Sequence, residues 1–279
     1  MCRTPSIVSP MRLASSRAGM TTATGSVGGA VPDAGHPTLP VAVVIPARDE
    51  ASRIGDTIDG VRHIPGVVVV VVVDDGSTDR TAVIAAQHGA EVVRHVRNHG
   101  KGDALMSGLG RITGLQRVGR LDASGSVLFV DADLEASAEA VGALVGPVAA
   151  GVADLTIASL LDDGWGADRS GGHGVVVGLA RRGIEELTGW APEQPLSGLR
   201  CLSPAAITAA TPFARGWGVE VGMTVDVLDA GLTLLEVPCE VRHRAVGTDW
   251  RSQVHRAAQY RDIALALGVR RLRRRLGPG

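Results

Sequence analysis

The chain has 279 residues, of which 45% are hydrophobic and 20% are charged, and its formal net charge is -1. This length suits one large domain or two small ones, and the balanced charge argues against nucleic acid as a partner. No apolar run reaches the roughly 20 residues of a membrane-spanning helix. Cys2, Cys201 and Cys239 lack metal-ligand spacing and are odd in number, so we expect reduced thiols in a cytoplasmic protein.

The N-terminal segment, residues 1–38, is rich in small and polar residues and shows little periodicity. Such a composition predicts a disordered tail. The segment has no continuous apolar stretch of the kind found in secretory signals, and a targeting role stays open.

Strand and helix patterns alternate from residue 41 onward. The predicted strands of this part are Val41–Ile45, Val67–Val73, Glu91–Val96 and a strand that begins at Val127. Helices are predicted between them, one of which stops at Gly89 and is capped by Ser77 or Thr78. This alternation predicts βαβ units, and therefore an α/β fold with a mostly parallel sheet flanked by helices.

The second half is less regular. Its predicted elements are a helix over Ser137–Ala150, a strand over Leu155–Leu160, a helix over Val175–Leu187, a short strand over Leu199–Leu202, a helix that Ser203 and Pro204 begin, a helix over Val219–Leu228, an extended segment over Leu232–Arg244, an amphipathic helix over Trp250–Leu267 and a basic tail over 269–279.

Charged residues follow each predicted strand of the first half. Because the carboxyl ends of parallel strands meet at one edge of a sheet, we expect these residues to converge. They are Arg48, Glu50, Asp74, Asp75, Lys101, Asp131 and Asp133. Carboxylates such as Asp131 and Asp133 are the ligands that a hard divalent cation prefers, and such a cation commonly bridges them to phosphates. Lys101 lies between two glycines, which allow a close approach of the backbone to a phosphate.

Four segments in this order resemble the family 2-like glycosyltransferases, which have the GT-A (nucleotide-diphospho-sugar transferase) fold. They are Val44–Glu50, Val73–Thr81, Gly100–Leu105 and Phe129–Asp133. The resemblance implies a Rossmann-like sheet and a metal-dependent hexosyltransferase. It also implies a nucleotide sugar donor, with UDP-glucose favoured, and Mg²⁺ or Mn²⁺ as the cofactor.

The second half is similar to two groups within that family. Gln194–Gly198, Pro212–Gly222 and Val241–Arg244 resemble glucosyl-3-phosphoglycerate synthases, whereas Pro195–Arg200 is equally similar to polyprenyl-phosphate sugar synthases. The first group retains and the second inverts the sugar's configuration, so acceptor and stereochemistry stay open together.

One segment departs from the phosphoglycerate enzymes, in which an Arg-Val-Thr follows paired glycines. The matching stretch here, Gly171–Val176, lacks the arginine and the threonine. His173, Arg181 or Arg182 could compensate. The acceptor that the resemblance implies is a small phosphorylated compound, another hydroxyl compound or a polyprenyl phosphate.

The resemblance also implies roles for individual positions. The nucleotide sugar would be bound by Pro46, Ala47, Arg48, Glu50, Asp75, Lys101, Asp131 and Ala132. Asp75 would meet the uracil or ribose, and Lys101 the diphosphate. Asp133 and His243 would hold the metal, and Glu220 and Asp131 would be catalytic. Simpler interpretations are a surface histidine at 243, a helix-capping lysine at 101 and, at 220, an acid favoured by the helix dipole.

The same resemblance divides the chain into a nucleotide-sugar-binding half, 39–135, and an acceptor-binding half, 136–268. The basic tail would bring the protein to the inner membrane face if the acceptor were a polyprenyl phosphate, and a homodimer also stays open. Nucleotidyl transfer is a weaker alternative, since such enzymes begin with a Gly-rich loop and Pro46–Glu50 contains no glycine. A third interpretation is a nucleotide-sugar-binding module without catalytic activity.

Overall fold

The computed structural model describes residues 7–8, 39–121, 125–160, 172–241 and 250–276. Eight strands form one sheet in the order β1-β8-β6-β7-β5-β2-β3-β4. They are β1 (Ile7–Val8), β2 (Val41–Ala47), β3 (Val67–Asp74), β4 (Glu91–Arg94), β5 (Ser126–Phe129), β6 (Leu155–Leu160), β7 (Arg200–Leu202) and β8 (Leu234–Cys239). Among these described strands, only β7 and the two-residue β1 pair antiparallel with their neighbours, so the prediction of a mostly parallel sheet is confirmed.

Helices cover both faces of the sheet. They are α1 (Ile54–Arg62), α2 (Thr81–Gln87), α3 (Lys101–Arg117), a 3-10 helix (Glu135–Leu144) that leads into α4 (Val145–Ala149), α5 (Gly172–Thr188), α6 (Pro204–Ala210), a 3-10 turn (Gly216–Gly218) that leads into α7 (Val219–Asp229), and α8 (Trp250–Leu276). Within the described residues, no helix is both long enough and apolar enough to cross a bilayer.

The alternation of side chains along β2 explains the two hydrophobic cores. Val41, Val43 and Ile45 pack with α1, the 3-10 helix and α4 on one face, while Ala42 and Val44 pack with α3 and the C-terminal helices on the other. Successive residues of a strand point to opposite faces, so a central strand that is buried on both sides must be apolar throughout. The carboxyl end of β2 is thereby fixed between β3 and β5.

Three element predictions are wrong in part. Ile7 and Val8, placed in the predicted disordered tail, pair with β8, and the rest of 1–38 lies outside the described residues. Most of the predicted helix over Ser137–Ala150 is a 3-10 helix that packs on α1. The predicted cap of α2 is also wrong, because Ser77 and Thr78 bind the Asp49 loop instead.

The fourth correction concerns the C-terminus. The long helix does not end at Leu267 but continues to Leu276, so the basic residues up to 276 are not a separate tail. Arg270 pairs with Asp226 of α7, and other arginines of this last stretch pair with acids of α5 and α7. These distant partners hold a segment that composition alone predicts to be solvated.

Candidate active site

Side-chain oxygens from the turn after β3 and the start of α2 accept hydrogen bonds from the backbone of the loop after β2. Ser77 Oγ accepts the N–H of Asp49 (3.0 Å), and Thr81 Oγ1 accepts that of Glu50 (2.8 Å). Asp79 Oδ2 accepts the N–H of Ala51 (3.1 Å). The two loops that were predicted to converge therefore form one hydrogen-bonded unit at the carboxyl edge of the sheet.

Asp75 belongs to the same turn, and its carboxylate faces a third loop, the one before α3. Oδ1 accepts the N–H of His99 (2.8 Å) and lies 2.7 Å from His95 Nδ1, while Oδ2 accepts the N–H of Gly100 (2.8 Å). Gly100 has a φ of 92°, in the region that glycine adopts without strain. The next residue, Lys101, is the first of α3.

Lys101 lies between two carboxylates that come from different parts of the chain. Its Nζ is 2.8 Å from Asp131 Oδ1, just after β5, and 3.0 Å from Glu220 Oε1, in the first turn of α7. The lysine side chain is 17% exposed and that of Glu220 is 6% exposed. Burial acts to lower the pKa of Lys101, but Asp131 and Glu220 outweigh it and raise the pKa above its usual value. The ammonium group is therefore charged at neutral pH.

Lys101 is also the only lysine of the chain, whose other basic side chains, histidines aside, are all arginines. A lysine ammonium is a compact point charge, whereas the arginine guanidinium is a wide planar fork. Here the compact group lies between Asp131 and Glu220 and against Gly198. The single lysine can be seen in the sequence, but the prediction for Lys101 rested on its glycine neighbours.

Asp133 lies near a second acid of the site, Glu50. Burial raises the pKa of Glu50, the carboxylates of Asp133 and Asp79 add to the rise, and Arg53 partly offsets it. Arg53 Nε donates to Glu50 Oε2 at 2.8 Å. This end of the site is therefore acidic, and a divalent cation would relieve the repulsion between its carboxylates.

The described residues contain no group of three His, Cys, Asp or Glu side chains placed to hold a metal by themselves. A protein cage is not required for Mg²⁺, which is commonly bound by one or two carboxylates together with substrate phosphates. The carboxylate of Asp133 fits this way of binding Mg²⁺. The other predicted ligand, His243, lies outside the described residues.

The remaining predicted donor residues lie at the same edge but differ in accessibility. Pro46 and Ala47 are the last residues of β2, and Ala47 is buried. Arg48 is exposed, with its Nε 3.8 Å from Asp49 Oδ2. The methyl group of Ala132 is buried in the core, and its carbonyl accepts the hydroxyl of Thr57 (3.0 Å).

Arg200 is a buried residue of the site for which the sequence analysis gave no role. Nε donates to Ser197 O (2.8 Å), Nη2 to Pro195 O (3.3 Å) and Nη1 to Thr224 Oγ1 (2.9 Å). Thr224 Oγ1 in turn donates to Glu220 O (2.9 Å). Burial lowers the pKa of Arg200 to about 10, with Glu220 and Glu236 opposing the fall, so the guanidinium stays charged. It ties the segment before β7 to the helix that carries Glu220.

Comparison with known sequences identifies the family. The sequence model described as "Glycosyl transferase family 2" matches residues 42–193. The chain is 34% identical over 211 residues to the glucosyl-3-phosphoglycerate synthase of Mycolicibacterium paratuberculosis, covering 68% of this chain and 60% of that protein. It is 32% identical over 213 residues to that of Mycolicibacterium smegmatis, covering 68% and 64%. The chain thus spans less than two thirds of the length of these relatives.

Solved structures of the Mycobacterium tuberculosis glucosyl-3-phosphoglycerate synthase are similar in fold. The complex with Mn²⁺, UDP and glucosyl-3-phosphoglycerate is 30% identical and superimposes with a TM-score of 0.63, covering 83% of this chain and 80% of that chain. The complex with Mn²⁺, UDP-glucose and phosphoglyceric acid is 29% identical, with a TM-score of 0.63 and coverage of 83% and 79%. These similarities confirm the predicted GT-A fold. Since the family model matches more than half of the chain, and a relative with 34% identity covers more than two thirds of it, the chain belongs to glycosyl transferase family 2.

Proposed function

We propose that this protein is a metal-dependent glycosyltransferase that moves glucose from UDP-glucose to a hydroxyl group of a small phosphorylated acid, with 3-phosphoglycerate as the first acceptor to test. The observation that carries the proposal is the position of the chain's only lysine, held between Asp131 and Glu220 at the carboxyl edge of the sheet. The similar M. tuberculosis enzyme has been solved with UDP-glucose and phosphoglyceric acid together.

The nucleotide end of the donor would lie along the ends of β2 and β3. Pro46, Ala47, Arg48 and Glu50 supply the edge of the base pocket. The hydrogen bonds from Ser77 and Thr81 to the Asp49–Glu50 backbone keep this edge in place before the donor binds. A site that is ordered beforehand loses less conformational entropy on binding.

Lys101 would bind the diphosphate. A nucleoside diphosphate leaves slowly unless the charge that develops on its oxygens is neutralised, and a buried cation does so more effectively than one in water. Asp131 and Glu220 keep the ammonium charged and hold it in position between them. Asp131 would also accept hydrogen bonds from sugar or ribose hydroxyls, and Glu220 would face the sugar and the acceptor.

Asp133 would hold the divalent cation, together with His243. M. tuberculosis glucosyl-3-phosphoglycerate synthase has been solved with Mn²⁺ and UDP and also with Mg²⁺ and UDP. When bound, the cation would supply positive charge to the diphosphate in addition to that of Lys101. A carboxylate oxygen suits both ions.

The acceptor would be bound by residues 136–268. Arg181 and Arg182 lie exposed on α5 and are available to an anionic acceptor. The first residues of α5 belong to the stretch that departs from the phosphoglycerate enzymes, so several acceptor compounds must be tested.

The test is transfer from UDP-[¹⁴C]glucose in the presence of Mg²⁺ or Mn²⁺, with and without EDTA. The acceptor arms are 3-phosphoglycerate, glycerol 3-phosphate, a polyprenyl phosphate in detergent, and none. We expect a labelled anionic product with 3-phosphoglycerate that EDTA abolishes. Asp133→Asn should lose this product, and Glu139→Gln, an exposed acid on the adjacent 3-10 helix, should keep it.

Two outcomes would overturn the proposal. One is a protein that does not bind UDP and neither transfers glucose from UDP-glucose nor hydrolyses UDP-glucose in any arm. The other comes from a parallel incubation with a nucleoside triphosphate and a sugar phosphate, in which pyrophosphate release would assign nucleotidyl transfer. Transfer to the polyprenyl phosphate alone would keep the donor half of the proposal and replace the acceptor.

A further inference from the structure

The resemblance assigns Asp75 to the uracil or ribose, yet its carboxylate points elsewhere in the structure. We infer that Asp75 is a positioning residue for the diphosphate end of the donor, which acts by fixing the loop that leads into Lys101, and that His95 holds Asp75 in this role. The inference rests on the proposed use of a nucleoside diphosphate donor.

The hydrogen bonds of Asp75 leave little of its carboxylate for a ligand. A carboxylate has about four acceptor positions, and three are filled by the N–H groups of His99 and Gly100 and by His95 Nδ1. The residue as a whole is 6% exposed. A direct hydrogen bond to a base or a ribose would therefore compete with bonds to the loop.

The loop residues that Asp75 binds determine where α3 starts. Gly100 is the N-cap of α3, and its carbonyl accepts the N–H of Ala104 in the first helical bond (3.0 Å). Lys101 follows immediately and reaches Asp131 and Glu220 from that position. A shift of Gly100 thus moves the backbone of Lys101, and misplacement by about 1 Å is enough to impair a site.

His95 connects Asp75 to the body of α3. Its Nδ1 lies 2.7 Å from Asp75 Oδ1, and its Nε2 lies 2.9 Å from Ser107 Oγ, two turns into the helix. Because a carboxylate can only accept, Nδ1 carries the proton, and in the neutral imidazole Nε2 accepts from the serine hydroxyl. The ring therefore holds the acid and the helix at a fixed separation.

Gly76 provides independent support for this role of the turn. A Cβ atom at this position would lie 2.6 Å from Arg97 C and 2.7 Å from Asn98 N. The backbone of the Asp75–Gly76 turn is thus in direct contact with the loop that precedes Lys101. Asp75 and Gly76 therefore both determine the position of this loop. Asp75 binds it through its carboxylate, and Gly76 has no side chain and so allows the loop to approach.

The test compares the affinities for UDP and for uridine, both with Mg²⁺, in Asp75→Ala. If Asp75 acts through Lys101, this substitution should lower UDP affinity by about tenfold or more and leave uridine affinity within about twofold. In the Lys101→Ala background, the same substitution should cause no further loss of UDP affinity, because the two residues act as one unit. His95→Ala should change UDP affinity in the same direction, less strongly.

Two further variants keep the test decisive. Val96→Ala, a fully exposed position in the same loop, should leave both affinities unchanged. Gly76→Ala displaces the loop without touching the carboxylate and should reproduce the selective loss of UDP affinity if Asp75→Ala does not fold, which melting curves report.

Equal losses of UDP and uridine affinity in Asp75→Ala, additive with those of Lys101→Ala, would overturn the inference and make Asp75 a direct nucleoside contact. This result is distinct from a failure of the proposed function, in which the unmodified protein would not bind UDP.

Discussion

Gly198 lies directly against the ammonium group of Lys101. A Cβ atom at position 198 would be 2.2 Å from Lys101 Nζ, 2.8 Å from Asp131 Oδ1 and 2.9 Å from Asp131 Oδ2. The segment before β7 therefore closes one side of the ion pair, and a side chain at position 198 would displace the ammonium group or the carboxylate.

Gly198→Ala should displace Lys101 or Asp131 and lower kcat/KM for the nucleotide sugar by about tenfold or more, which corresponds to about 1.4 kcal/mol. Gly110→Ala is the matched control, because a Cβ atom at that exposed position in α3 meets nothing within 4 Å and alanine favours a helix. Steady-state kinetics of donor hydrolysis or transfer measures both. An unchanged kcat/KM in the Gly198→Ala protein would show that this contact is not part of the active site.

The pKa of Lys101 can be measured without interference, since protein labelled with ¹⁵N-lysine has a single ζ-nitrogen signal. The carboxylates of Asp131 and Glu220 hold the pKa above its unfolded value of about 10.4 despite burial. The stabilisation is therefore fully present below about pH 10.4 and is lost as the pH rises through the higher folded pKa. We expect no titration of the signal up to about pH 10.4. A midpoint below that value would mean that burial outweighs the two acids.

Arg200 should contribute to both stability and activity. Arg200→Met removes hydrogen bonds to Ser197 and Thr224 and the buried positive charge that acts on Glu236 and, together with Lys101, on Glu220. We expect a loss of about 3 kcal/mol in the free energy of unfolding, measured by urea denaturation, and a lower kcat/KM in the protein that folds. Arg181→Met, at an exposed position of α5, should change stability by no more than about 0.5 kcal/mol. Equal stability of the two variants would contradict the role given to Arg200.

The C-terminal end of α8 should be required for the fold. Arg270 is 5% exposed, its Nε donates to Asp226 at 2.9 Å, and its Nη1 donates to Ala266 O. Arg270→Ala should cost about 3 to 5 kcal/mol, since it leaves Asp226 without its main partner. Arg275→Ala, at an exposed position, should cost less than about 0.5 kcal/mol. If both variants unfold at the same urea concentration, the end of the helix is dispensable.

The first half of the sheet and the place of the site could be predicted from the sequence, because local signals specify them. The β-branched runs at Val41–Ile45 and Val67–Val73 form strands, and the acids that follow them meet at one edge. The cap of α6 was also predictable, since Ser203 Oγ accepts the N–H of Ala206 (3.1 Å). In each case the residues that determine the structure are close together in the chain.

The features that could not be predicted depend on contacts between distant residues. Nothing near Glu220 in the sequence shows that it meets Lys101, and nothing near Gly198 shows that it covers Asp131. Ser77 is of a residue type that caps helices, but its hydroxyl accepts the N–H of Asp49 in the loop after β2 instead. The arginines at the end of α8 look solvated until their acidic partners on α5 and α7 are known.

The most direct test of the account follows the same single ¹⁵N signal of Lys101 during ligand titration with Mg²⁺. If this lysine binds the diphosphate of a nucleotide sugar, UDP and UDP-glucose should shift the signal in a saturable way, and uridine should leave it in place. Asp133→Asn, which removes the proposed metal ligand, should weaken the response to UDP. A Lys101 signal that UDP leaves unchanged at concentrations that saturate the protein would contradict the central claim, because the nucleotide would then bind away from this cluster.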